Sequence, residues 1–262
     1  MESALAGRLA QAVRTADPDR YLSSLFAGAR DRPYLHALYA FNHEVAGVAM
    51  RVREPMLGAI RLEWWRETAE TAARQKPRAH DVAKGLAALF AERGLPLAAF
   101  EAIIAARAFD ASAEHFADFA ALENYLDATG GGVMRLAARL LAGEETGLRE
   151  AALAYGFAGL LRSLPFHNRR RKLYLPRDLL NEVGLAPEDV FVLDQDPRVA
   201  RAVARITTCA REHFRKARKA RPGKALAAIL PAALVPVYLK RRDVPIHRRQ
   251  MALLAAAIKG RL

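Results

Sequence analysis

Apolar residues recur at intervals of three and four along almost the whole chain, in a sequence rich in Ala and Leu and poor in β-branched runs. That spacing lines one face of a 3.6-residue helix, whereas a half-buried strand needs strict alternation. Ala and Leu also lose little on entering a helix. The fold class this predicts is all-α, with about ten helices and no strand. Asp17-Pro18 offers a cap and a first-turn proline for a helix reaching about Ala29. Further helices are expected from about Pro33 to Arg51, Pro55 to Arg74, His80 to Arg93 and Pro96 to Phe116. Another, from Ala120 to Leu141, meets the triplet Gly130-Gly131-Gly132, which argues against a straight helix there. A helix from about Leu148 runs into Pro165, expected to break or bend it. No stretch reads as a linker and no internal repeat is visible, so residues 1–262 are read as a single domain.

With 52% hydrophobic and 26% charged residues the chain is of ordinary globular composition. Its one cysteine, Cys209, excludes an internal disulfide and any multi-cysteine metal site, which suits a reducing compartment. The N-terminus lacks a cationic stretch followed by a continuous apolar one, so it does not read as a secretory signal. Cytoplasmic residence, with peripheral contact at the inner membrane, is expected. The formal charge of +13 attracts polyanions: nucleic acid, anionic lipid or a diphosphate. Nucleic acid is the weaker reading, because no helix-turn-helix, zinc-finger or RNP-type pattern is visible and the basic runs lack interleaved aromatics. The apolar run from Ala225 to Leu239, flanked by His213–Arg221 and by Lys240-Arg241-Arg242, is too short to span a bilayer, which takes about 20 residues. It reads either as a surface lying on lipid or as a buried core segment with cationic ends.

Three stretches stand out as candidate chemistry. Leu160 to Asp178 reads LLRSLPFHNRRRKLYLPRD; Tyr39 to Met50 reads YAFNHEVAGVAM; and Leu62-Glu63-Trp64-Trp65-Arg66 is followed further on by Glu123-Asn124-Tyr125 and the glycine triplet. In order and spacing these resemble the squalene/phytoene synthase family, enzymes that join two prenyl diphosphates head to head. The resemblance covers roughly residues 20 to 180. It implies an isoprenoid-synthase-like helical bundle around a central cavity, in which two acid-rich motifs hold Mg²⁺ on the substrate diphosphate. Here Arg162, Lys172, Tyr174, Leu175 and Pro176 keep the frame of the second motif, but Ser163 and His167 stand at its acid positions. In the first motif the acids would fall at Ala46, Gly47 and Met50. Glu44 cannot substitute, since two residues back is roughly 200° around a helix. Within the family the chain is more similar to a subgroup that includes a mitochondrial complex I assembly factor, on Phe41-Asn42-x-Glu44-Val45, Glu54-Pro55-x-x-Gly58-x-Ile60-Arg61-x-x-Trp64-Trp65 and Leu161-Arg162-x-x-Pro165-x-His167. That resemblance implies work on complex I assembly intermediates.

Mg²⁺ is a hard ion that binds carboxylate, phosphate and water oxygens, so the degenerate positions predict no metal, no cofactor and no family reaction. His167 itself reads as a titrating group or as a packed polar residue. Arg162, Arg169, Arg170, Arg171, Lys172 and Tyr174 form a candidate site for a prenyl diphosphate or lipid phosphate, the alternative being a solvated basic loop. Trp64 and Trp65 either line a cavity or fill the core. The competing function is a working prenyl transferase that binds Mg²⁺ through relocated acids. Two stripes have helical spacing for it: Glu63, Glu67 and Glu70, with Arg66 and Arg74 as ion-pair partners, and Asp110, Glu114 and Asp118.

Overall fold

The computed structural model describes residues 1–52, 54–142, 148–192, 196–241 and 243–262. Its elements, in chain order, are α1 (Ser3–Ala16), α2 (Pro18–Ser24), α3 (Arg32–Ala46), α4 (Val48–Arg51), α5 (Pro55–Ala73), α6 (Asp81–Arg93), α7 (Leu97–Ala106) and α8 (Ala108–Ala111). After these come α9 (Phe119–Leu126), α10 (Gly132–Ala142), α11 (Arg149–Arg169), α12 (Arg177–Glu182), α13 (Pro197–Ala217), α14 (Leu226–Ile229), α15 (Val235–Tyr238) and α16 (Ile246–Lys259). No strand occurs among the described residues. The expected class is therefore found, with more and shorter segments than sketched.

The starts of these helices are written in short side chains and prolines. Asp17 accepts the Arg20 N–H at 3.1 Å, Asp118 accepts the Ala121 N–H at 2.8 Å, and Asp196 accepts the Arg198 N–H at 2.7 Å. Each satisfies a donor that the first helical turn leaves open. Pro18, Pro55 and Pro197 sit in first turns, where a missing N–H costs nothing. Gly94 and Gly260 close α6 and α16 with φ of 60° and 63°, a left-handed geometry that only glycine takes without strain.

Three expectations about breaks meet different outcomes. The segment from Pro96 stops being helical at Ala111, and Phe116 lies in the loop before α9. As a consequence Asp110, Glu114 and Asp118 do not share a helical face. The glycine triplet interrupts the α-helix as expected, but as a π turn, Asp127–Gly131, that joins α9 to α10 without breaking the chain's spiral. Its use is close packing, because a Cβ on Gly132 would lie 2.9 Å from Ile103 Cγ1. Pro165 lies inside α11, which continues to Arg169.

Packing is organised by α3 and α11. Phe41 of α3 is buried edge-on against Trp65 at 6.2 Å and Phe100 at 5.2 Å, so Trp65 is core. Along α11, Leu153, Phe157, Leu160, Leu161 and Leu164 bury against α13 and the 173–190 segment. The stretch from Ala225 to Leu239 is folded into short turns whose Ile229, Leu230, Leu234 and Val235 are fully buried. Of its two readings the core one holds. The Lys240-Arg241-Arg242 run lies partly outside the described residues, at Arg242.

Candidate functional site

Between α3–α4, α8, α9 and α11 lies a cavity of two lobes that share Met50, Asp110, His167 and Tyr174 as walls. The outer lobe, 610 Å³, opens between Val52, Pro55, His115, Arg170, Arg171 and Phe191. The inner lobe, 300 Å³, is walled by Arg20, Ala46, Arg107, Tyr125, Tyr155 and Ser163 together with Leu126 and Leu160. Ala46, Met50, Ser163 and His167 thus face one space, as the two-motif frame predicts. Gly47 sits at the junction of α3 and α4, where a Cβ would meet the His43 carbonyl oxygen at 3.0 Å.

What these side chains offer a metal is poor. Ala46 and Met50 supply hydrocarbon and a thioether, and the Ser163 hydroxyl donates to the Leu160 carbonyl at 3.0 Å. His167 packs its ring 4.4 Å from that of Tyr174, and burial pushes its imidazole below the ordinary value, towards the neutral form. Among the described residues lining the lobes, the carboxylates are Asp110 and Glu54.

Asp110 is engaged through both carboxylate oxygens. Its Oδ1 accepts the hydroxyls of Tyr125 at 2.6 Å and Tyr174 at 2.7 Å, and its Oδ2 accepts Arg107 Nη1 at 3.1 Å. Arg107 also donates to the Tyr125 oxygen at 2.9 Å. The carboxylate is only 7% exposed, and burial above all, with the Asp110 charge a smaller contribution, raises both phenols well above their ordinary values. Mg²⁺ at this carboxylate would sit beside the Arg107 guanidinium and compete with two phenols for its charge. The residues present do not fit the Mg²⁺ cluster of the family reaction, and no group of three or more His, Cys, Asp or Glu among the described residues is placed to hold a metal.

The candidate anion site is rearranged. Arg170 and Arg171 line the outer lobe; Arg170 donates to the Met50 carbonyl at 2.9 Å, and Arg171 lies over the Phe191 ring. Lys172 lines it too, but its Nζ donates to the carbonyls of Phe109 and Ser112, each at 2.7 Å, and to that of Glu114 at 3.3 Å. Burial lowers its pKa, and its role is to tie down the end of α8. Tyr174 is committed to Asp110. Arg162 turns away from both lobes, packing 3.8 Å over the Tyr238 ring and 3.5 Å from Asp19. Arg169 faces a separate hollow with Leu164, Pro165 and Asp196. The sequence frame brings Arg170, Arg171, Lys172 and Tyr174 together and leaves Arg162 and Arg169 out.

The other acid stripe is an ion-pair surface: Arg66 bridges Glu63 and Glu70, and Arg78 pairs with Glu67 at 2.6 Å. Trp64 lies beside it, in a shallow 440 Å³ hollow with Glu44, Ile60 and His80. Missed by sequence reasoning were Arg20, Arg107 and Tyr155, which furnish the polar wall of the inner lobe. The run Arg20-Tyr21-Leu22, within the stretch the family resemblance covers, was the available signal for the first of them.

A helical bundle closed on a cavity with two facing motif segments is the build of a prenyl-joining synthase. The description Squalene/phytoene synthase matches residues 13–245, and the chain belongs to that family. The fold is shared with a dehydrosqualene synthase solved with ligand, at a TM-score of 0.82 and 14% identity over 98% of this chain and 96% of that one. It is also shared with squalene synthase HpnC from Alicyclobacillus acidocaldarius, at 0.74 and 17% over 98% and 94%. In sequence the chain is similar to a human protein named NADH dehydrogenase (ubiquinone) complex I, assembly factor 6, 30% identical over 236 residues, 87% of this chain and 71% of the human one. Its Bos taurus counterpart is 29% identical over the same length.

Proposed function

We propose that this chain is a non-catalytic member of the squalene/phytoene synthase family that serves in the assembly of respiratory complex I at the face of the inner membrane. One observation carries the loss of catalysis: the motif positions facing the cavity are Ala46, Met50, Ser163 and His167, while Asp110 is consumed by Arg107, Tyr125 and Tyr174. Ionising an allylic diphosphate requires cations on the leaving group and anionic surroundings for the carbocation. Here the cations at the cavity mouth are the Arg170 and Arg171 guanidiniums, and no group of three or more His, Cys, Asp or Glu among the described residues is placed to seat Mg²⁺. Similarity to the assembly factors supports the client, and no helix among the described residues is long and apolar enough to cross a membrane. The outer lobe, with Arg170 and Arg171 at its mouth, supports retention of a phosphate-bearing ligand without turnover.

The experiment is incubation with farnesyl or geranylgeranyl diphosphate and Mg²⁺, alongside equilibrium binding to the wild type and to Arg170→Glu/Arg171→Glu. No squalene, phytoene or pyrophosphate is expected, and binding should weaken by about tenfold or more in the double variant. Steady release of pyrophosphate would overturn the non-catalytic reading. Deletion of the gene should deplete assembled complex I and leave the isoprenoid profile intact; the reverse pattern would remove the assembly role.

A further inference from the structure

With the 225–239 stretch buried, the apolar surface of the molecule has to be sought elsewhere, and α16 carries it. The helix buries Leu253 and Ala256 and sends Arg249 inward, where Nη1 donates to Asp19 at 2.9 Å. On the opposite side Met251, Leu254 and Ile258 are 64%, 43% and 77% exposed. At 100° per residue these three fall within roughly 60° of one another, so they form a single ridge. Arg248 and Lys259 lie along one flank and Arg261 just beyond the helix end, all exposed. Residues 246–262 contain no Asp or Glu.

We propose that this outer face of α16 docks the protein on an anionic phospholipid membrane, its ridge entering the acyl boundary and its cations resting on lipid phosphates. The inference rests on the membrane location in the preceding section and assigns the element responsible. Charge selects the occupant. A second copy would bring another molecule of formal charge +13 and another acid-free helix against the ridge, which repels. Nucleic acid would satisfy Arg248, Lys259 and Arg261 but would leave three large hydrocarbon side chains in water. An anionic bilayer alone offers hydrocarbon beneath and phosphate above, the pairing that interfacial helices use.

The test is flotation with vesicles of phosphatidylcholine alone and of phosphatidylcholine with phosphatidylglycerol, using the full chain. The variants are Met251→Ser/Leu254→Ser/Ile258→Ser and Arg248→Gln/Lys259→Gln/Arg261→Gln. All six positions are exposed, so thermal melting should match the wild type and fix that the variants are folded. Wild type should prefer the anionic vesicles. The serine variant should lose roughly tenfold of partitioning per side chain, and the glutamine variant roughly fivefold per cation and its preference for the anionic lipid. If wild type floats and the serine variant floats equally well, α16 is not the docking element although the membrane location stands. If wild type does not float with either vesicle, both are overturned. A dimer in solution that the serine variant turns into a monomer would assign the ridge to self-association and end the proposal.

Discussion

Asp110 stands where a relocated metal ligand would have to stand, and both its oxygens are already engaged, one by two phenols and the other by a guanidinium. Burying such an unpaired carboxylate would cost several kcal/mol, so the same contacts that make it tolerable also make it unavailable. Titration tells a similar story at His36 of α3, which is 6% exposed, stacks on Tyr21 and shares a 2.9 Å hydrogen bond with the Ser24 hydroxyl. Burial, with the charge of Arg32 adding to it, pulls its pKa down to about 4. The unfolded chain, with an ordinary imidazole near 6.5, therefore binds the extra proton between these two values, and stability must fall as pH drops through that window. The loss attributable to His36 is about 3 kcal/mol by pH 4. Urea melts of wild type and His36→Gln from pH 7 to pH 4 should show a shallower decline in the variant. His115 and His167, displaced in the same direction, keep some slope in both. Identical slopes would mean that His36 does not titrate as its surroundings dictate.

At the scale of elements, the glycine triplet gives the sharpest contrast. Gly132→Ala forces a methyl to within 2.9 Å of Ile103 and should cost about 1 to 3 kcal/mol, whereas Gly130→Ala, with nothing within 4 Å, should be neutral or mildly stabilising. Denaturant midpoints of the two variants decide it, and equal effects would deny the close approach of α7 and α10. Helix starts were legible where they are local: Asp17, Pro18 and Pro55 act within one turn of themselves. Of the break or bend expected at Pro165 the break is absent, because its penalty is set by what α11 packs against, and Phe157, Leu161 and Leu164 hold that helix in place around it. The run from Pro96 to Phe116 misled for the converse reason. Its apolar spacing continues past Ala111, but Phe116 is drawn into a stack 3.8 Å from Phe109, which the periodicity of one segment cannot announce. In the site, the motif frame predicted which positions face the cavity. The partners of Lys172 and Tyr174 are about sixty residues distant in sequence, and that is why their engagement was invisible.

Across the whole molecule, Asp19 does the work of closure. From α2 it accepts the hydroxyls of Tyr155 on α11, at 3.2 Å, and of Tyr238 on α15, and pairs with Arg249 of α16 at 2.9 Å and with Arg162 at 3.5 Å. It is 4% exposed. Asp19→Ala would strand Arg249, a guanidinium 18% exposed, and should cost about 3 to 5 kcal/mol. Amide exchange over residues 246–259 should quicken more than that over α3, because α16 loses its inward anchor while α3 keeps its own core. A cost below about 1 kcal/mol would show that the cluster is replaceable. A different global property follows from α13 and the turn after it, which expose Arg201, Arg205, Arg211, Arg215, Lys216, Arg218 and Lys219 with Glu212 as the acid among them. Such a strip condenses counterions, and any polymer of phosphates released from broken cells would displace them at a gain in entropy. Host RNA that accompanies this protein through low-salt isolation would therefore be a passenger of its charge, shed by a salt wash, and would say nothing of what it does in the living cell.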